Sequence, residues 1–94
     1  MDEQFWKRAD AYIHVANEQS EQAKLGEVGA SFTYACARFN AFTVTAEAPS
    51  VETLKEARAR VLEHFTAEFR KMLEDNLDDH IAHFDQYFPR KGAK

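Results

Sequence analysis

Asp78, Asp79, His80, His83 and Asp85 are residues of the types that bind metal ions or move protons, gathered near the C-terminal end of the chain. Imidazole and carboxylate are good ligands for zinc and iron. On a helix, Asp79 and His83 stand four apart and His80 and His83 three apart, so each pair shares a face. Asp79, His80 and His83 are therefore the candidate metal ligands. A ferritin-like centre needs Glu-x-x-His motifs on two helices, however, and neither that motif nor His-Glu-x-x-His occurs here. Helix capping and surface polarity account for the same residues without an ion. That reading is preferred, and no cofactor is expected.

His14 with Glu18 and His64 with Glu68 repeat the four-residue spacing. Histidine titrates near neutral pH, so either pair has the ingredients of acid–base chemistry. Exposed ion pairs are the ordinary outcome, and no phosphate loop or nucleophile elbow accompanies them. The single cysteine, Cys36, excludes an intramolecular disulfide. With no cation on its stripe to lower its pKa, it reads as a small core residue. Arg38 and Asn40 interrupt the most apolar stretch as structural polar candidates bonded to neighbouring helices or water. For the Arg38 fork the carboxylate is Asp10 or Asp79; the functional alternative is a ligand anchor. No residue is assigned to catalysis, and nothing points to an enzyme.

The elements that position these side chains are helices. Val28, Phe32, Ala35, Cys36, Phe39, Phe42 and Ala46 form one stripe at helical spacing, while Ala30, Ala37, Ala41 and Val44 fall on the opposite side. A helix apolar front and back is wrapped by others or shared with a partner molecule. Ala30, Tyr34, Ala37, Ala41 and Val44 are the interface candidates.

The first helix is expected from Asp2 or Glu3 to about Lys24, capped by Asp2 and stopped by Gly26. Its inward stripe is Phe5, Ala9, Tyr12, Ile13, Ala16 and Ala23. The second starts between Glu27 and Ser31 and ends near Ala46, ahead of Pro49. Ser50 caps the third. There Leu54, Val61, Leu62, Phe65, Phe69 and Met72 share a stripe that gives way to Leu73, Leu77, Ile81, Phe84 and Phe88, turned by about 110°. Glu74, Asp75, Asp78 and Asp79 oppose the dipole at a helix end but suit a helix start. Both observations predict a kink or break near Asp75–Asp78, followed by a fourth helix to about Tyr87. The expected fold is all-α, an antiparallel three-helix bundle with a kinked or broken third helix giving a short fourth. Residues 1–88 form a single bundle domain, and 89–94 a disordered basic tail.

Composition narrows the partners. The 94 residues are 45% hydrophobic and 30% charged, with eight Phe, three Tyr and one Trp, which suits a folded soluble chain. The net charge is -4, and Lys55, Arg58, Arg60, Arg70 and Lys71 are interleaved with Glu52, Glu56, Glu63, Glu68 and Glu74. That mixture offers no basic surface for nucleic acid. No apolar run approaches the roughly 20 residues of a membrane span, so no membrane is expected. The N-terminal residues lack the order of a signal peptide, and a cytoplasmic location is expected.

Three strings, Phe5-Trp6-Lys7-Arg8-Ala9-Asp10, Tyr34-Ala35-Cys36-Ala37-Arg38-Phe39-Asn40-Ala41-Phe42 and Met72-Leu73-Glu74-Asp75-Asn76-Leu77-Asp78-Asp79-His80, resemble a family of short bacterial proteins known only as a domain of unknown function. The resemblance runs from about Phe5 to Phe88 and is most specific in the second string. It implies a compact bacterial protein of this size and supplies no catalytic residue or ligand. The expected function is that of a non-enzymatic helical bundle acting through protein–protein contact as a homodimer. The alternative is a metal- or small-ligand-binding protein with its site at the break in the third helix.

Overall fold

The computed structural model describes residues Met1–Phe88; Pro89 and the expected basic tail lie outside the described residues. Three long helices and one short one make up the described chain, α1 (Glu3–Gln19), α2 (Leu25–Glu47), α3 (Val51–Ala82) and α4 (Phe84–Tyr87). Among the described residues there is no strand, and no helix is long and apolar enough to cross a membrane. The chain divides into two compact units, one of α1 and α2 and one of α3 and α4.

In the first unit, Asp2 caps α1 by accepting the Phe5 N–H at 2.9 Å. The helix stops at Gln19 rather than Lys24. Ser20 folds both its N–H and its hydroxyl onto the Ala16 carbonyl, which closes the last turn. Gly26 does not act as the stop. It sits inside the first turn of α2, with nothing within 4 Å of the position a Cβ would take. The earlier start of α2 has a visible cause, because the Glu27 carboxylate accepts the Lys24 N–H at 3.2 Å and covers a donor the helix cannot. At the other end, the Ala48 N–H bonds the Thr45 carbonyl and Pro49 follows.

In the second unit, Ser50 caps α3 as expected, accepting the Thr53 N–H at 3.1 Å. The expected break near Asp75–Asp78 is absent. The α3 helix runs unbroken through it to Ala82, and the interruption falls at His83 (φ -122°, ψ 31°). Sharp kinks need a proline, a glycine or an inserted group, and no proline or glycine lies between Val51 and Phe88. The acidic residues are held in place by the preceding turn. Arg70 pairs with Glu74 and Lys71 with Asp75, both at 3.3 Å, and the Asn76 amide donates to the Met72 carbonyl. The 110° change of apolar stripe is thus a change of face on one continuous helix.

No described residue is fully buried. Two helices side by side have no interior, and a single long helix has none either. Leu54, Ala57, Val61 and Phe65 are half-buried on α3, while Phe39, Phe42, Leu62 and Phe69 are exposed. Cys36 is exposed too, so its expected place in a core is not filled in this chain.

Candidate functional site

The polar residues at the end of α3 converge on Asp79. One carboxylate oxygen accepts the Tyr87 hydroxyl at 2.5 Å, and the other stands 3.1 Å from His83 Nδ1. His83 Nδ1 is also 3.1 Å from the Asp79 backbone carbonyl, and His80 Nδ1 is 2.8 Å from that of Asn76. A carbonyl only accepts, so Nδ1 is the donor in both of these bonds. The His80 ring stacks on Tyr87, with centroids 4.2 Å apart and planes 15° from parallel. Phe88 and Phe84 continue the aromatic series, 6.2 Å apart. The interruption at His83 brings these groups together, because Tyr87 lies eight residues from Asp79 and a straight helix would separate them by about 12 Å.

The electrostatics of the cluster run against catalysis. The Tyr87 hydroxyl, aided by the neighbouring His83 and His80, holds the Asp79 carboxyl below the usual carboxylate range despite some desolvation. The same bond, and the Asp79 charge, push the Tyr87 phenol up. An acid–base catalyst needs a pKa drawn toward neutrality, and these two move away from it. As a metal centre the trio is no better arranged. Among the described residues no group of three or more His, Cys, Asp or Glu side chains is placed to hold an ion. The contacts of the cluster tie α4 to the last turn of α3.

The remaining candidates are dispersed. His14 meets Glu18 at 3.5 Å as an exposed pair. His64 lies edge-on to Phe65 instead of reaching Glu68. Asn40 is half-buried and bonds within its own helix, its amide 3.4 Å from Cys36 Sγ. Arg38 is exposed and makes no ion pair within the first unit, so Asp10 is not its partner there. Of the interface candidates, Ala30, Tyr34, Ala37 and Ala41 are exposed and Val44 is half-buried. Tyr34, Ala37 and Ala41 line an open groove along α2 with Arg38, Phe42 and Thr45. Within the first unit a second cleft, of about 460 Å³, lies between Tyr12 and Ala16 of α1 and Val28 and Phe32 of α2. Tyr87 escapes sequence reasoning, because a helix relates residues three and four apart and not eight.

Residues 5–81 match a family described as a protein of unknown function, DUF3144. The chain belongs to this family. A solved structure, the NMR structure of the protein NB7890A from Shewanella sp, is similar to it, with 30% sequence identity, 93% of each chain covered and a TM-score of 0.76. No curated protein matches the chain.

Proposed function

We propose that this family member is a non-enzymatic helical protein that works through protein–protein contact, as a homodimer in which its helices complete an antiparallel bundle. The observation that carries this reading is the absence of any fully buried residue among the described ones, in a chain 45% hydrophobic. Trp6, Tyr34, Phe39 and Phe42 are each more than half exposed. Soluble proteins rarely leave contiguous apolar surface of that kind in water, and where they do it marks a contact. The groove on α2 supplies part of the surface, with the small Ala37 and Ala41 admitting another helix closely and Arg38 among its lining residues. A reducing, cytoplasmic setting suits an exposed free thiol.

Size exclusion with light scattering tests the proposal. A mass near twice 10.8 kDa at micromolar concentration is the expected result. A clean monomer at high micromolar concentration rejects the homodimer.

A further inference from the structure

The tie to Asp79 uses the edge of the Tyr87 ring and leaves its faces for a second contact, and His80 takes one of them. The two rings lie with centroids 4.2 Å apart and planes 15° from parallel. Imidazole, phenol ring and carboxylate thus stand in series, since the Tyr87 hydroxyl donates to Asp79. A phenol that donates to a carboxylate is polarised by it, and electron density moves from the hydroxyl into the ring. The face of an aromatic ring is already negative and attracts a cation set over it. His80 occupies that place, and histidine is the side chain that gains a positive charge between about pH 8 and pH 5.

We infer that His80 and Tyr87 form a pH-responsive clasp, in which protonation of His80 fastens α4 to the end of α3 and deprotonation loosens it. The clasp lies within one chain and stands apart from the homodimer. Protonation costs His80 none of its present contacts, because Nδ1 already donates to the Asn76 carbonyl at 2.8 Å and the added proton goes to Nε2. Within the second unit, the titratable and charged groups around it are Asp79 and His83 at the end of α3, and Tyr87 and Asp85 of α4. Asp79 attracts the imidazolium, and His83 is held 3.1 Å from the same carboxylate, which screens one imidazolium from the other. Asn76 and Asp79 stay beside His80 when α4 swings away, whereas Tyr87 and Phe88 leave it. The extra attraction on protonation therefore favours the closed clasp.

Amide exchange in the full chain, taken as protection relative to the intrinsic rate at each pH, tests the clasp. Between about pH 8 and pH 5 the Tyr87 and Phe88 amides are expected to gain about two- to fivefold protection, the size of an exposed cation–π contact. Amides in the middle of α3 are expected not to change. His80→Phe keeps a ring to stack and loses the charge, so its α4 is expected to show no such gain. His83→Asn removes the neighbouring imidazole and is expected to keep the gain. A flat or falling wild-type profile overturns the inference, as does a gain shared by the whole of α3 or retained in His80→Phe. Should His80→Phe lose α4 protection at every pH, His83→Asn decides. A gain kept there assigns the response to His80, and a gain lost there gives it to the His83–Asp79 ion pair and overturns the clasp.

Discussion

The Tyr87 hydroxyl donates to the carboxylate of Asp79 across the interruption at His83, joining the last turn of α3 to the whole of α4. In Tyr87→Phe, Asp79 loses the largest of the interactions that lower its pKa. Its carboxyl is then expected to titrate closer to the usual range in a carbon-detected NMR titration. An unchanged Asp79 titration would mean that the bond is not formed in solution.

The pH dependence follows from the same pair. The folded Asp79 pKa lies below its unfolded value, so its contribution is fully present above the ordinary carboxylate range and is lost as pH falls through the lowered value. Tyr87 has the opposite sign, with its contribution present below the ordinary phenol range and lost as pH rises through the raised value. Between these limits the tie is expected to hold. Tyr87 ring shifts followed from pH 2 to 12 check it, and a phenol titration at or below its ordinary value would contradict the assignment.

Ser50→Ala removes the hydroxyl that accepts the Thr53 N–H, and a lost N-cap costs about 1 kcal/mol. Urea unfolding at fixed protein concentration is the measurement. No change in midpoint would show that α3 draws its start from elsewhere.

Gly26→Ala is expected to stabilise. The position is helical and open, so alanine adds no clash while restricting the unfolded chain, a gain of about 0.4–1 kcal/mol. A lowered urea midpoint would place Gly26 outside the helix.

Arg38→Met tests the exposed guanidinium. Arg38 is exposed and has no ion-pair partner within the first unit, so stability is expected to change by less than about 0.5 kcal/mol. A loss of about 3–5 kcal/mol would instead reveal a carboxylate stranded inside the assembled protein.

The parts of this fold legible in the sequence are those decided locally. Asp2 and Ser50 cap where their types and positions say they should, because a cap needs only a side-chain oxygen and a free N–H three residues on. Gly26 does not mark the stop that its type predicts, since Ser20 ends α1 first and the α2 helix begins ahead of the glycine. The change of stripe at Leu73 predicts a break, whereas α3 simply continues and turns a new face outward. Periodicity reports which face is apolar and not what covers it. For that reason the α2 stripe and Cys36 were expected inside a core that the described chain does not build. At the candidate site, the Asp79–His83 pairing was legible as a four-residue spacing and the Tyr87 contact was not.

The shortness of α4 has a consequence for how the molecule opens. Four residues are far below the length at which a helix persists in water. The Gln86, Tyr87 and Phe88 amides, bonded to the His83 and Phe84 carbonyls, therefore owe their protection to the Asp79 tie and the aromatic stack. They are expected to exchange with deuterium together, well ahead of the middle of α3, and faster again in Tyr87→Phe. The C-terminal end thus behaves as a separate cooperative unit that unlocks without melting the helix that bears it.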